Sequence, residues 1–414
     1  MPNEQIDTLV VGGGQAGVAM SEHLGRRGLA HLVVERHRIA ERWRTERWDS
    51  LVANGPAWHD RFPNRAFDDL APETFAPKDR IVRYFEEYAA QINAPIRTGV
   101  EVTSLIRQAD GSGFVAETTQ GRIKAQNVVA ATGPFQRPLI PQLVPETVVA
   151  CQLHSNAYRN PGQLPEGAVM VVGAGSSGAQ IADELLRSGK KVYLSVGPHD
   201  RPPIRYRGRD FCWWLGVLGQ WDAKTREPGQ EHVTIAISGA GGGNTVDYRA
   251  FANRGMVLLG RAGACSDGVM QIAPDLARNI AAGDAYYRNV LEKADDYAAR
   301  NQLDLPREPQ AYDIGPDPDC VTHPILSLDL GAAGVTAIIW ATGFTYDFGW
   351  LQVPVFDAKG IPQHLRGVTS VPGLYFLGLP WLSRRASPFI WGVWHDADYL
   401  AEQIAARGTA TPAT

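Results

Sequence analysis

The sequence predicts an α/β fold with two Rossmann-like, parallel-sheet units in one chain. Three observations indicate this class. A strand, a glycine-rich turn, a helix and a second strand follow each other over residues 6–35, and the same order returns over residues 168–195. Two apolar strands, at 128–133 and 337–343, both end in Ala-Thr-Gly. A chain of 414 residues with 44% hydrophobic residues has the length for two or three domains.

The first unit carries the pattern Gly-x-Gly-x-x-Gly directly after the apolar strand 6–11. Gly12 permits the tight turn, Gly14 lets backbone N–H groups approach a pyrophosphate, and Gly17 lets helix and strand pack closely. Glu35 closes the second strand and can accept hydrogen bonds from ribose hydroxyls. A glycine-rich hairpin is the alternative, which the flanking strands and helix disfavour. The cofactor-binding residues predicted here are Gly12, Gly14, Gln15, Ala16, Gly17, Glu35 and Arg36.

The second unit repeats this pattern but ends differently. Its second strand closes with Ser195 instead of an acidic residue, and Arg201 and Arg205 follow. Without a carboxylate, a 2′-phosphate is not repelled, and a guanidinium can pair with it, so we expect this site to prefer NADPH. Solvated loop arginines are the alternative. The predicted cofactor-binding residues are Gly173, Gly175, Ser176, Ser177, Gly178, Arg201 and Arg205.

Two dinucleotide sites in one chain imply two cofactors that exchange electrons, and FAD with NADPH is the economical interpretation. Strands that end in small residues let the chain pass close to a cofactor or cross between domains. We therefore expect a discontinuous FAD domain over 1–160 and 325–414, with the NADPH domain over 161–324 inserted between its parts. The cofactor-binding residues predicted in the strand ends are Thr132, Gly133, Ala341, Thr342, Gly343 and Gly378, and Val102 completes the set.

The chain resembles the flavin-dependent monooxygenases with two dinucleotide domains, in particular the plant auxin-type enzymes and their bacterial relatives. The resemblance to the family rests on both glycine motifs, both Ala-Thr-Gly strands, the strand 372–378 and the segment 42–54, and that to the plant auxin-type enzymes rests on the segment 384–397. It implies that Trp43 packs beside the flavin and that Asn54 lies near the oxygen chemistry. The family's linking signature is matched in part, because His154 and Tyr158 are present but its Phe and Gly are Val148 and Ala150.

The resemblance implies hydride transfer from NADPH to FAD, formation of a C4a-(hydro)peroxyflavin with O2, and transfer of one oxygen atom to a substrate. Asn54 is the candidate catalytic hydrogen-bond donor, with a turn asparagine before Gly55 as the alternative. A flavin disulfide reductase needs a dithiol, and the widely spaced Cys151, Cys212, Cys265 and Cys320 argue against it. A non-oxygenating NAD(P)H oxidase or reductase stays open.

The sequence suggests only that the substrate is small and apolar or aromatic, because 11 tryptophans but no charged cluster stand out. An aromatic run at 211–221 is a candidate substrate route or ordinary packing, and Trp58 and His59 are candidate pocket residues. Residues 284–302 predict an amphipathic helix with a solvated charged face. A net charge of −4 argues against nucleic acid and anionic membranes, and no metal site is predicted. We expect a cytoplasmic protein with no membrane span, and homodimer formation stays open.

Overall fold

The computed structural model describes residues 3–224 and 234–410, with side chains described for residues 4–224 and 235–408. The sequence predicts a strand over 232–237; its first two residues lie outside the described ranges, and residues 234–235 form a strand. The α-helices of the described ranges are α1 (Gln15–Arg26), α2 (Glu41–Thr45), α3 (Lys78–Gln91), α4 (Ser176–Arg187), α5 (Phe211–Val217), α6 (Tyr248–Asn253), α7 (Leu276–Arg300), α8 (Asp319–Thr322) and α9 (Ile390–Ala410).

The strands fall into the two predicted parallel sheets and several small pairings. In chain order they are β1 (Asn3–Val11), β2 (His31–Glu35), β3 (Ile96–Thr98), β4 (Val102–Arg107), β5 (Phe114–Thr118), β6 (Gly121–Ala130), β7 (Arg137–Pro138), β8 (Cys151–His154), β9 (Ala168–Val172), β10 (Val192–Ser195), β11 (His199–Asp200), β12 (Arg205–Tyr206), β13 (Arg209–Asp210), β14 (Thr234–Ile235), β15 (Val257–Leu259), β16 (Ala262–Ser266), β17 (Val269–Ile272), β18 (Ser327–Asp329), β19 (Val335–Trp340), β20 (Phe344–Thr345) and β21 (Leu374–Phe376).

The first sheet has the order β3-β2-β1-β6-β5-β4, and β21 also pairs with β6. The long strand β6 pairs with two strands along the same edge. Its residues 121–125 pair with β5, and its residues 128–130 pair with β21. Strands β1, β2, β3, β6 and β21 run parallel, while β4 and β5 form an antiparallel extension. Helices α1 and α9 lie against each other beside this sheet, so both ends of the chain contribute to one domain.

The second sheet is wholly parallel, in the order β15-β10-β9-β19-β8. All five residues of its central strand β9 are buried, as expected for a continuous apolar run in a sheet covered on both faces. Helix α4 packs on β9 and β10. Separate apolar clusters lie around the two sheets, which confirms the predicted architecture of two α/β units.

Two segments pair differently from the predicted domain boundaries. The sequence analysis assigns β8 and β19 to the FAD domain, but both belong to the second sheet. The reason is that β19 pairs with β9 in the second sheet, just as β6 pairs with β1 in the first sheet. By sheet membership, the second unit therefore extends at least from residue 151 to residue 340. Within the described part of the chain, no helix combines the length and apolarity that crossing a membrane requires.

Candidate active site

The first glycine turn folds tightly against two backbone segments. Gly12 has φ +115°, and a Cβ at this position would lie 2.6 Å from the carbonyl oxygen of Ala131. A Cβ on Gly17 would lie 1.8 Å from the carbonyl oxygen of Gly12. Around Gly14, by contrast, nothing lies within 4 Å of the Cβ position among the described residues. The two packed glycines therefore hold the turn closed, while Gly14 leaves room for a bound group.

Helix α1 begins beside this space without a side-chain cap or an acidic residue in its first turn. Its N-terminal N–H groups and dipole favour an anion such as a pyrophosphate. Glu35, at the end of β2, accepts hydrogen bonds from the backbone N–H of Gly13 (2.7 Å) and of His37 (2.9 Å). These bonds hold the carboxylate beside the turn, where a nucleotide ribose would lie.

The second glycine turn has the same construction. Gly173 has φ +103°, and its Cβ would lie 2.5 Å from the carbonyl oxygen of Ala341. A Cβ on Gly178 would lie 1.8 Å from the carbonyl oxygen of Gly173. Helix α4 begins after Gly175 and also lacks a capping side chain and an acidic first turn. Both turns can therefore hold a dinucleotide pyrophosphate.

Each Ala-Thr-Gly segment supports one of these turns. Ala131 donates its backbone N–H to Val11 at the end of β1 (2.9 Å), and Ala341 does the same to Val172 at the end of β9 (2.8 Å). The two segments then meet, because β7 and β20 pair antiparallel. His154 Nε2 lies 2.9 Å from the carbonyl oxygen of Gly343, and burial lowers the pKa of this histidine. The connections between the units thus run side by side.

The residues that follow these segments are also hydrogen-bonded within the junction. Gln136 donates from Nε2 to Thr132 Oγ1 (2.9 Å) and to the carbonyl oxygen of Gly133 (2.7 Å). The hydroxyl of Thr342 donates to the carbonyl oxygen of Leu139. Gly133 and Gly343 both have positive φ, and nothing described lies within 4 Å of either Cβ position. Both segments leave space beside the glycine, as the sequence analysis predicts for a close cofactor.

The segment before α9 contacts the first turn of α1. Gln15 donates from Nε2 to the carbonyl oxygen of Pro388 (2.6 Å). Gly378, which follows β21, has φ +79°, and a Cβ there would lie 2.9 Å from the Cβ of Ala16. The structure therefore brings together Gln15, Ala16 and Gly378, three of the residues predicted to bind the first cofactor.

The remaining predicted residues of the first unit lie around it. Trp43 is half-buried and packs against core side chains of both units. The guanidinium of Arg47 lies 6.0 Å from the Trp43 ring, and burial lowers the pKa of this arginine to about 10. Val102 is buried near the end of β2, whereas Arg36 is exposed and lies 4.0 Å from Glu101. Trp43 thus lies between the units, and Arg36 lies at the surface.

Arg201 occupies a different environment from the one expected of a phosphate ligand. It is buried, and its guanidinium donates to Asp284 Oδ1 from Nε (3.1 Å) and Nη2 (2.6 Å). Arg249 lies 2.8 Å from the other oxygen of Asp284, and the Tyr287 ring lies 4.6 Å from the Arg201 guanidinium. These contacts do not support Arg201 as the ligand of a 2′-phosphate, because its hydrogen bonds go to a buried carboxylate.

The other residues near the end of β10 divide into buried and accessible ones. Ser195 donates its hydroxyl to the carbonyl oxygen of Gly260 (2.9 Å) and is buried. Arg205 is accessible and pairs with Glu73 (3.1 Å). Arg261 lies beside the turn after β10, since a Cβ on Gly197 would lie 3.7 Å from its Cγ. Its Nε donates to Asp275 Oδ2 (2.6 Å), but unlike Arg201 its side chain is 59% exposed. Arg261 is a cation near the ribose end of this unit that the sequence analysis missed.

Asn54 is held by the helix of the second unit. Gln180 of α4 donates from Nε2 to Asn54 Oδ1 (2.8 Å) and to the carbonyl oxygen of Ile237 (2.7 Å). Since Oδ1 faces Gln180, the donor group Nδ2 lies on the other side of the amide. Ser177 lies in the first turn of α4. Ser176 donates its hydroxyl to the carbonyl oxygen of Ile235 (2.7 Å). Sequence reasoning missed Gln180, because a glutamine inside a helix carries no pattern of its own.

Four aromatic side chains from three distant segments converge near Asn54. The ring of His59 stacks on Trp221 (5.3 Å between centroids) and on Trp391 (5.7 Å), and it meets the edge of Trp58 (5.4 Å). We call these four residues the aromatic cage. Trp221 and Trp391 reach it from the segment after α5 and from the first turn of α9. Trp221, at the end of the run 211–221, thus packs in one apolar cluster with Trp58, whereas Trp213 and Trp214 pack against Tyr297 of α7.

The comparisons with known proteins agree with this arrangement. The profile of the pyridine nucleotide-disulphide oxidoreductase family matches residues 9–207. The CzcO-like oxidoreductase of Geobacillus kaustophilus is 35% identical over 96% of this chain and 98% of its own. The indole-3-pyruvate monooxygenase YUCCA1 of Oryza sativa subsp. japonica is 30% identical over 45% of this chain and 47% of its own. The flavin-containing monooxygenase from Stenotrophomonas maltophilia has the same fold, with a TM-score of 0.67, 18% identity, and coverage of 98% of this chain and 99% of that one.

The fold and the paired glycine turns define a class B flavin monooxygenase-like protein, which confirms the predicted resemblance and fold class. The chain belongs to the CzcO-like oxidoreductase family.

Proposed function

We propose that this chain is an FAD- and NADPH-dependent monooxygenase that inserts one oxygen atom of O2 into a small apolar or aromatic substrate. The observation that carries the proposal is the pair of uncapped helix N-termini, α1 and α4, with Asn54 bound to α4 and the aromatic cage beside it. The family assignment and the flavin monooxygenase fold support it.

The residues fit the two cofactors. The turn at Gly14 has room for the FAD pyrophosphate, and Glu35 lies where its ribose hydroxyls need an acceptor. The turn before α4 fits NADPH in the same way. Arg261, exposed although it pairs with Asp275, is the proposed cation for the 2′-phosphate. When bound, these cofactors supply the reducing equivalents and the activation of O2.

The protein's own groups position the reactants and exclude water. Gln180 fixes the amide of Asn54 so that Nδ2 can donate a hydrogen bond on the side away from α4. The tryptophans of the aromatic cage give the substrate an apolar site, and the burial of Trp221 keeps water from one side of it. Asn54 is therefore the proposed catalytic residue, and Gln180 is its positioning residue.

A disulfide reductase is the class that the description of the matching family profile suggests, but the thiols do not support it. The four cysteines are free. Cys212, which lies near the aromatic cage, is buried, and desolvation raises its pKa well above the usual range of a thiol. A protonated, enclosed sulfur is a poor nucleophile for disulfide exchange.

The proposal is tested by mixing NADPH-reduced enzyme with O2 in a stopped-flow spectrometer. We expect a transient flavin spectrum that differs from those of reduced and oxidised FAD, and a product that is one oxygen atom heavier than the substrate. Direct return to oxidised FAD, with one hydrogen peroxide per NADPH whatever substrate is present, would identify a non-oxygenating oxidase instead. In Asn54→Ala we expect more peroxide per NADPH than in the wild type, while Asn301→Ala, at an exposed helix end, serves as the matched control. A cytoplasmic location and a homodimer stay predictions.

A further inference from the structure

One buried polar atom of the aromatic cage has no protein partner among the described residues. His59 is 6% exposed, and its Nε2 is buried and has no hydrogen-bond partner among the residues that the structure describes. A buried ring nitrogen normally has a partner, because leaving it unpaired is unfavourable. The three rings around the His59 ring belong to tryptophans, while the charged groups Asp210 and Arg384 contact the outer sides of Trp58 and Trp391.

The opposite ring nitrogen of His59 is fixed. Its Nδ1 lies 2.8 Å from Asp60 Oδ1, and Asp60 Oδ2 accepts the backbone N–H of Gly55 (2.8 Å). A carboxylate can only accept, so in the neutral imidazole the proton is on Nδ1 and Nε2 carries a lone pair. The cage therefore offers a hydrogen-bond acceptor rather than a donor.

The cage also lies close to both glycine turns. Residues 54–60 join Asn54, which bonds to Gln180 of α4, to His59. On the other side, Trp391 follows Pro388, whose carbonyl oxygen accepts from Gln15 at the start of α1. A ligand in the cage would thus lie between the first turns of the two helices that we propose to hold the cofactors.

We propose that His59, oriented by Asp60, is the polar anchor of the substrate site and accepts a hydrogen bond from an N–H or O–H group of a planar aromatic substrate. The inference rests on the proposed function, since only an enzyme has a substrate. The binding of the aromatic ring itself needs neither NADPH nor O2. The tryptophans provide the flat apolar surfaces, and His59 Nε2 fixes which edge of the ring faces it. Asp60 is a positioning residue that sets the tautomer of His59.

Two ring systems of nearly equal shape test the proposal. Indole has an N–H donor and benzofuran has an ether oxygen in its place. Their dissociation constants are measured from the change in flavin absorbance of the oxidised holoenzyme, without NADPH. We expect the wild type to bind indole about tenfold more tightly than benzofuran, which is the size of one hydrogen bond at a buried acceptor. Equal affinities of the wild type for indole and benzofuran, or no binding of either ring, would overturn the proposal before any variant is measured.

Three variants assign the preference to His59 and Asp60. His59→Phe keeps a ring between Trp221 and Trp391, and we expect the ratio to fall to about 1. In Asp60→Asn the amide oxygen can keep the bond to Gly55 while its N–H2 faces Nδ1, which moves the proton to Nε2, so we expect indole to bind more weakly than benzofuran. His364→Phe, which removes a histidine packed on Phe376, should keep the wild-type ratio.

The two proposals fail in different ways. If His59→Phe does not retain FAD, the ratio in Asp60→Asn decides, and an unchanged ratio in either folded variant overturns the role of these two residues. If the enzyme makes only peroxide but still prefers indole through His59, the monooxygenase function is wrong and the anchor stands. If the enzyme oxygenates substrates but does not prefer the ring with the N–H donor, the monooxygenase function stands and the role of His59 as anchor is wrong.

Discussion

Replacing Arg201 by alanine separates a structural role of this residue from a role in cofactor choice. The sequence places Arg201 where a 2′-phosphate ligand is expected, but its guanidinium bonds twice to Asp284, and both side chains are buried. Arg249 pairs with the second oxygen of the same carboxylate. We therefore expect Arg201→Ala to lower the stability of the second unit and to leave the preference for NADPH over NADH unchanged.

The magnitude follows from which charges lose a partner. Breaking a buried ion pair by removing one side costs about 3–5 kcal/mol. In Arg201→Ala, Asp284 keeps Arg249 at 2.8 Å, so we expect the lower end, about 3 kcal/mol. For a unit of about 200 residues this corresponds to a decrease in Tm of about 10 °C. Asp284→Asn removes the charge that both arginines face, so its cost lies at the upper end, about 5 kcal/mol.

The assay combines thermal unfolding with steady-state kinetics at a temperature well below the lowest Tm. Arg205→Ala is the matched control, because Arg205 is 39% exposed and its pair with Glu73 is expected to contribute about 0–1 kcal/mol. An Arg201→Ala enzyme with the wild-type Tm and a large rise in KM for NADPH, but not for NADH, would refute the reasoning and restore the interpretation from the sequence.

Three further predictions concern cofactor binding and stability. Arg261→Ala should lower the preference for NADPH over NADH about tenfold, measured as the ratio of kcat/KM, and an unchanged ratio would contradict the assignment of its guanidinium to the 2′-phosphate. Gly17→Ala should abolish FAD retention in the purified protein, since its Cβ would lie 1.8 Å from the carbonyl oxygen of Gly12; retained flavin absorbance would contradict this. Burial lowers the pKa of His23 to about 4, so the unfolded chain binds the proton more readily and the folded state loses up to about 3 kcal/mol as the pH falls from 6.5 to 4. His23→Phe should reduce this loss, as measured by Tm between pH 7 and pH 4.

The local patterns predicted the nucleotide-binding elements well, because strand, glycine turn and helix are fixed within about thirty residues. Strand β2 spans residues 31–35, as predicted. The sequence predicts helices from residues 18 and 179, but α1 begins at Gln15 and α4 at Ser176, within each glycine motif. In these elements, apolar periodicity and the required φ values act at short range. The long helix α7 shows the limit of such patterns. The sequence predicts its start at Asp284, but the helix begins at Leu276, and Asp284 is a buried interior residue.

The candidate site was less predictable, because its parts come from segments far apart in the chain. Arg201 and Asp284 are 83 residues apart, and Asn54 and Gln180 are 126 apart. No single-sequence pattern tells a loop arginine that faces a phosphate from one that faces a buried carboxylate. A similar limit applies to His59, because an isolated histidine is more often a structural hydrogen-bonding residue than a pocket residue. Only the convergence of Trp221 and Trp391 gives that histidine its environment.

The repeated Ala-Thr-Gly segment has a physical reason that also explains the unexpected membership of β19. In each unit, the alanine carbonyl oxygen leaves no room for a Cβ on the first glycine of the turn. The distance from this oxygen to the Cβ position is 2.6 Å for Gly12 and 2.5 Å for Gly173. A strand that ends in Ala-Thr-Gly must therefore lie beside β1 in the first unit and beside β9 in the second. Each sheet for this reason contains one such strand, β6 in the first and β19 in the second. Because both copies continue into the paired strands β7 and β20, the two turns are joined through one short antiparallel contact. Gln136 and His154 hydrogen-bond to Gly133 and Gly343 at this junction, so we expect substitutions of these two side chains to change the spacing of the two proposed cofactor sites.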